Sequence, residues 1–206
     1  MYVAKKYCVD RLTSKCKQFV QNNINSNNAC ILMDEAVKFV DEDVLQSCLQ
    51  RIKEDTEACI QRQEFINICK ESLELITKLE KITVKEEILY EQVIKWCDAE
   101  CERQKLEVTW LNKRNVLGDL RFNIRFPVME ARYFTKHVAS TDLLTFEEKV
   151  EISMYYTQQH EGSKGDLKYF NKNNRKKYFP PEPKYEPGMY PVLYEEDGIV
   201  ICTEDV

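Results

Sequence analysis

The sequence predicts an all-α fold of stacked helical hairpins, followed by an irregular C-terminal tail that could carry a β-hairpin. Apolar residues recur with the helical period in successive segments joined by polar turns, which is typical of stacked helix pairs. Of the six prolines and five glycines, only Pro127 and Gly118 come before residue 160. This change in composition places the boundary between the helical region and the tail near residue 160.

The first predicted helices follow from apolar spacing and from capping residues. Residues 4–22 suit a broken helix or two short ones, and residues 25–28 then offer a run of N-cap side chains before a helix over residues 29–39. Asp41, Glu42 and Asp43 supply acidic first-turn charges to a helix over residues 44–52. Short helices are predicted around Phe65 and over residues 73–79.

Two T-x-x-E capping boxes predict the starts of the longest helices. Thr83 and Glu86 would open a helix over residues 86–104, and Leu89, Val93 and Trp96 form one apolar side of it. Thr145 and Glu148 would open the last helix, over residues 146–158. Further helices are predicted over residues 112–119 and 130–138.

Composition excludes several classes of function. The chain has 206 residues, 43% of them hydrophobic, with a formal net charge of -5 and a pI near 5.3. An acidic chain lacks the basic face that nucleic-acid binding usually needs. No apolar run approaches the ~18 residues of a membrane span. We therefore expect a soluble cytoplasmic protein, and Arg175-Lys176-Lys177 leaves nuclear import open.

No catalytic, cofactor or metal site is predicted. The sequence contains no nucleophile motif, phosphate loop or metalloprotease motif. Cys97 and Cys101 share a helical face, but a zinc site needs two more ligands, and His137 and His160 are the only histidines. The nine cysteines are scattered without C-x-x-C pairs, so we interpret them as core or surface thiols.

The tail contains two further features. Residues 168–179 mix lysines and an arginine with aromatic residues, so they could bind single-stranded nucleic acid. The favoured interpretation is a linker whose rings dock on the helical domain. Beyond it, Val192-Leu193-Tyr194 and Ile199-Val200-Ile201 flank an Asp-Gly turn signal, which predicts a hairpin.

Several motifs carry a resemblance to a known family. Leu75-Ile76, the capped Lys85-Glu86-Glu87 and the helix with Val93 and Trp96 resemble the BACK domain, the helical module that follows the BTB (BTB/POZ) domain in many ubiquitin-ligase adaptors. The segment IRFPVM over residues 124–129 is similar to the one that follows this helix in the family. Tyr155-Tyr156-Thr157 resembles the end of the helical region in BTB-BACK-PHR proteins.

The resemblance implies a division of the chain. Residues 1–24 would be the end of a BTB domain, residues 25–64 a 3-box-like helix pair, residues 65–160 the BACK domain and residues 161–206 the irregular tail. Most of a BTB domain would be missing, and no PHR domain is recognisable in the tail. The chain is then expected to be a fragment, an incomplete gene model or a reduced protein.

The resemblance also implies a non-catalytic role in protein interaction. In the family, the 3-box helps to bind cullin-3, and the BACK domain positions the ubiquitination substrate. The binding residues expected here are apolar side chains of the 3-box-like pair: Met33, Val37, Phe39, Val40 and Leu45. The alternative is a standalone scaffold or regulatory protein that binds a protein partner without recruiting a cullin. Neither interpretation involves a membrane, and nucleic acid is not the expected partner.

Overall fold

A computed structural model describes Tyr7, residues 9–160 and residues 167–177. The helices are α1 (Asp10–Asn22), α2 (Ala29–Lys38), α3 (Glu42–Glu54), α4 (Thr56–Ile60), α5 (Lys70–Thr77), α6 (Glu86–Arg103), α7 (Trp110–Leu117), α8 (Ala131–Phe134) and α9 (Phe146–His160). Short 3-10 turns cover Gln63–Asn67, Gly118–Asn123 and Phe126–Val128, and a π-helical turn covers Thr135–Ala139. The prediction of an all-α fold is confirmed.

The antiparallel pair α2–α3 forms the first well-packed hairpin. Its inner face contains Ala29, Met33, Cys48 and Ile52, none of which is exposed to solvent. Such close packing follows from the apolar spacing of both helices. The amphipathic α1 packs less deeply: Val20 is partly buried against the core, Lys17 pairs with Asp43 at 2.7 Å, and Gln21 donates to Ser47 at 3.1 Å. No residue of α1 is buried.

Helix α6 is the central element of the larger core. Leu89, Val93, Trp96 and Cys97 are fully buried on one side of it, as the apolar stripe predicts. The Trp96 indole N–H donates to the Ile68 carbonyl at 2.8 Å, so the largest buried side chain also satisfies its polar atom. The rings of Phe126 and Phe134 pack beside α6 at 6.2 Å from each other.

One predicted capping box is confirmed and the other is wrong. At the start of α9, the Thr145 N–H donates to the Glu148 carboxylate at 2.9 Å, and the Glu148 N–H donates to the Thr145 hydroxyl at 3.2 Å. Helix α6 begins after Lys85 without a side-chain cap. Thr83 instead exchanges hydrogen bonds with Thr56, at 2.9 and 3.1 Å, because the chain before α6 lies against the start of α4.

The described part of the tail, residues 167–177, is not irregular throughout. Strand β2 (Lys176–Lys177) pairs in parallel with β1 (Lys81–Ile82), which connects α5 to α6. Phe170 is buried against Phe122 and Phe126. This part of the tail therefore docks on the helical domain. The predicted hairpin over residues 192–201 lies outside the described residues.

Candidate protein-interaction site

The five predicted binding residues divide into buried and exposed groups. Met33 is fully buried in the core of the α2–α3 hairpin, and Val37 and Leu45 are half-buried. Phe39 and Val40 lie at the tip of the hairpin, with 44% and 87% of their surfaces exposed. We name these last two residues the hairpin tip. Both therefore contribute adjacent apolar surface that solvent reaches, whereas Met33 is needed inside the fold.

The backbone of the hairpin tip forms a Schellman motif. The Asp41 N–H donates to the Ala36 carbonyl at 2.9 Å, and the Val40 N–H donates to the Val37 carbonyl at 3.2 Å. The residue at the left-handed position of this motif is Val40, with φ of 50°. Glycine normally occupies that position because a Cβ atom is unfavourable there, and a β-branched side chain more so.

A strained and exposed valine has no packing role that would explain it. Val40 adopts an unfavourable backbone conformation and also exposes an apolar side chain to water. It is among the most exposed large hydrophobic residues that the structure describes. Strain of this kind occurs preferentially at binding and switch sites. The hairpin tip is therefore the best candidate interaction site on this helix pair.

Replacing Val40 with glycine should stabilise the fold. Glycine removes the left-handed strain, which costs about 1–2 kcal/mol, but increases the entropy of the unfolded chain, so we expect a net gain of about 0.5–1 kcal/mol. Chemical denaturation monitored by circular dichroism measures it. Val37→Gly is the matched control, because Val37 lies inside α2 and its replacement should destabilise. A loss of stability for Val40→Gly would contradict the claim that the left-handed conformation of Val40 is strained.

Buried polar contacts fix the orientation of the hairpin. The carboxylate of Asp34, on α2, accepts hydrogen bonds from the Cys69 N–H at 2.7 Å and from the Ser72 hydroxyl at 2.8 Å, both at the start of α5. It also pairs with Lys38 at 2.7 Å. Burial by itself would raise the pKa of Asp34, but these hydrogen bonds outweigh it and hold the pKa below its usual range. Asp34 thus links the hairpin to the helices behind it.

Other exposed apolar side chains were not predicted as binding residues. Ile31 is half exposed on α2, two turns before Phe39, and Leu12 and Phe19 are exposed on α1. Helical period alone could have placed them on outer faces, but it cannot distinguish an outer face from a contact with another helix. The salt bridge from Lys17 to the buried Asp41, at 3.0 Å, holds α1 beside the hairpin tip.

The potential metal ligands among the described residues are scattered. Among them, no group of three or more His, Cys, Asp or Glu side chains could hold a metal ion. Cys97 and Cys101 are both buried. Burial raises the pKa of the Cys97 thiol to about 12, which keeps it protonated and unreactive near neutral pH.

The aromatic and basic stretch of the tail is partly occupied within the domain. Phe170 is buried, and the Arg175 guanidinium lies against Glu86 at 2.8 Å. These two side chains are therefore not free to stack on bases or to contact phosphates. For residues 167–177 the structure agrees with a linker docked on the helical domain.

The fold defines an all-α domain of packed helical hairpins. Residues 29–139 match the profile of the BACK family, described as "BTB And C-terminal Kelch". Because the match covers more than half of the chain, the chain belongs to this family. Between the ends of α1 and α9, no helix that the structure describes is long and apolar enough to cross a membrane.

Curated relatives agree with this assignment. The chain is 36% identical over 157 residues to BTB/POZ domain-containing protein 6 of Xenopus tropicalis, a match that covers 76% of this chain and 30% of the relative. It is 35% identical over the same length to the Homo sapiens protein of that name, covering 29% of the relative. It is 32% identical over 172 residues to human BTB/POZ domain-containing protein 3, covering 84% of this chain and 32% of the relative. The chain thus spans about a third of the length of these relatives.

Proposed function

We propose that this chain is a non-catalytic interaction module of a BTB-BACK substrate adaptor for cullin-3 ubiquitin ligases, and that it positions a substrate relative to the cullin. The observation that carries the proposal is the strained, exposed hairpin tip of Phe39 and Val40 on a BACK-family domain. In the family that the chain resembles, such a helix pair extends the BTB domain and helps to bind the cullin, and we assign the same role to α2–α3. The role is one of binding and spacing, and it requires no cofactor.

The hairpin tip has the character of an interface anchor. Apolar side chains that are exposed in the free protein and enclosed in a complex gain about 25 cal/mol for each Å² removed from water. Aromatic residues such as Phe39 are enriched in the cores of interfaces. Val37 and Leu45 lie half-buried behind the tip, and Met33 supports them from the core. We therefore assign the contact to Phe39 and Val40 and the support to the other three.

Buried contacts between the hairpin and the BACK helices support the positioning role. A positioning module must hold the 3-box-like pair at a fixed angle to the BACK helices. The hydrogen bonds of Asp34 with Cys69 and Ser72 join α2 to α5 across these two proposed subdomains. The division into a BTB end at residues 1–24, a 3-box-like pair at residues 25–64, a BACK domain at residues 65–160 and a tail at residues 161–206 remains part of the proposal. So does a cytoplasmic, and also nuclear, location.

The alternative is a regulatory or scaffold protein that binds a protein partner and recruits no cullin. The exposed apolar side chains Leu12 and Phe19 of α1 favour a further protein contact on the N-terminal side. That contact is compatible with either function. The two candidates differ in whether the hairpin tip binds the cullin.

Isothermal titration calorimetry with the cullin-3 N-terminal region tests the proposal. We expect binding by the chain, or by a version extended with a complete BTB domain, and a loss of at least tenfold in affinity for Phe39→Ser and for Val40→Gly. Val40→Gly is informative because the expected gain in stability excludes unfolding as the cause. Leu111→Ser, which changes an exposed residue of α7, is the matched control and should bind normally. Absence of binding by both versions would favour the alternative.

A further inference from the structure

The guanidinium of Arg175 occupies a fully built site on the helical domain. Its Nε and one Nη donate to the two carboxylate oxygens of Glu86, at 2.8 and 3.0 Å. The remaining N–H groups donate to the backbone carbonyls of Thr77 and Asn123, at 2.8 and 2.9 Å, and of Leu79. All five donors are satisfied. The side chains of Arg175 and Glu86 are each only 4% exposed.

The chemistry of the site selects a guanidinium over an ammonium group. The carbonyls of Thr77 and Leu79 lie at the end of α5 and just beyond it, where the helix dipole is negative. Glu86 adds a buried carboxylate that a cation must neutralise. Five acceptors spread around one plane fit the rigid fork of an arginine, whereas a lysine offers three donors from a single nitrogen.

Two further contacts extend the site along the chain. Five residues before Arg175, Phe170 fits between the rings of Phe122 and Phe126, with ring centroids 5.5 and 5.6 Å apart. One residue after it, the Lys176 N–H donates to the Glu80 carbonyl at 2.8 Å, and parallel pairing with β1 begins. Addition of an extended strand, with pockets for its side chains, is a known mode of peptide recognition, and here Phe170 and Arg175 fill such pockets.

An acidic pocket adjoins the arginine site. Its volume is about 950 Å³, and Arg175 forms part of its wall. Its lining also includes the acidic residues Glu57, Glu87 and Glu130, one further basic residue, Lys85, and apolar residues of β1 and α6. Beside β1, the contact with Arg125 at 2.6 Å is the main reason that the pKa of Glu80 lies below its usual range, and the charge of Lys176 adds a smaller contribution.

The arginine site, the rings of Phe122 and Phe126 and the edge of β1 together form what we call the groove. We propose that this groove is a peptide-binding site for an extended basic segment that carries an aromatic residue five positions before an arginine. The chain's own residues 167–177 occupy it in cis. A protein partner with such a segment binds there by displacing the chain's own segment. The groove is thus a second interaction site, distinct from the hairpin tip, and it does not depend on cullin binding.

Fluorescence anisotropy with a labelled peptide of sequence LKYFNKNNRKK, the chain's residues 167–177, tests the proposal on the full chain. The Phe170→Ala/Arg175→Ala double variant removes both anchors and frees the groove. We expect this variant to bind the peptide saturably, and the unmodified chain to bind at least tenfold more weakly because its groove is occupied. A peptide with lysine in place of the arginine should bind the double variant at least tenfold more weakly. Equal binding of both peptides, or none by a folded double variant, would overturn the proposal.

A second measurement covers the case in which the double variant does not fold. In Arg175→Ala alone, the emptied guanidinium site should accept methylguanidinium at low millimolar concentration. The melting temperature of this variant should then rise with methylguanidinium and not with methylammonium, while that of the unmodified chain changes with neither. An equal response to both cations would mean that the site does not recognise a guanidinium.

Discussion

Replacing Trp96 with alanine is expected to lower the free energy of unfolding by about 3–5 kcal/mol. The indole is completely buried and its N–H donates to the Ile68 carbonyl at 2.8 Å. The substitution leaves a large cavity beneath α6 and an unpaired buried carbonyl. Because small domains are stable by only about 5–15 kcal/mol, much of the stability would be lost. Urea denaturation monitored by circular dichroism measures the effect.

Trp110→Ala is the matched control for this prediction. Trp110 begins α7, is half-buried, and has the Lys113 ammonium 4.3 Å from its ring centroid. Its removal should cost about 1 kcal/mol, since it loses partial burial and one cation–π contact. Similar losses for the two tryptophans would show that Trp96 is not the anchor of the core.

Replacing Asp34 with alanine should cost about 3 kcal/mol. The substitution removes the carboxylate that accepts from the Cys69 N–H and the Ser72 hydroxyl and that pairs with Lys38. A hydrogen bond to a charged group contributes about 1.5–3 kcal/mol. Because these contacts share one carboxylate, their contributions do not add. Asp43→Ala is the control, because Asp43 is mostly exposed and its salt bridge with Lys17 should contribute no more than about 1 kcal/mol. Equal losses for the two substitutions would contradict the structural role of Asp34.

The contribution of Asp34 should also depend on pH in a defined direction. Its pKa is held below the usual value in the folded state, so the unfolded chain takes up a proton at Asp34 first as the pH falls. The stability that the carboxylate provides is thus complete above the ordinary aspartate pKa near 4 and is lost as the pH falls through the lower folded-state value. The difference in unfolding free energy between the unmodified chain and Asp34→Ala should be constant from pH 7 to pH 5 and shrink below about pH 4. If the difference in unfolding free energy grew as the pH fell, the pKa of Asp34 would not be lowered by folding.

Most helices could be predicted because their apolar positions repeat with the helical period. The predicted helix over residues 86–104 is observed as Glu86–Arg103, and that over residues 44–52 as Glu42–Glu54. The short α4 was missed, since five residues are too few to show a period. The segment over residues 130–138 divides into α8 and a π-helical turn, a change in winding that apolar spacing does not reveal.

Tertiary contacts explain the predictions that failed. Glu86 has the right spacing for a capping box with Thr83, but its carboxylate instead accepts from the Arg125 N–H at 2.9 Å and pairs with Arg175, which is 89 residues away in the chain. A local motif cannot compete with a buried ion pair whose partner is distant in sequence. For the same reason, the β2 strand in the tail could not be predicted.

The candidate site was predicted only in part. Apolar spacing identified the α2–α3 hairpin and its residues, but it could not separate Met33, which is buried, from Val40, which is 87% exposed. That separation depends on where α2 ends. The left-handed conformation of Val40 has no signal in the sequence, because glycine or asparagine would be expected there.

Hydrogen–deuterium exchange tests the central claim most directly. It is measured on the version that binds in the calorimetry, either the chain or its BTB-extended form, with and without a saturating amount of the cullin-3 N-terminal region. The account predicts slower exchange at the end of α2, at the hairpin tip and at the start of α3 when the cullin region is present. It predicts no change in the buried turns of α6, which should exchange slowly in both states. Unchanged exchange at the hairpin tip, or protection confined to other surfaces, would contradict the assignment of this hairpin as the cullin-binding site.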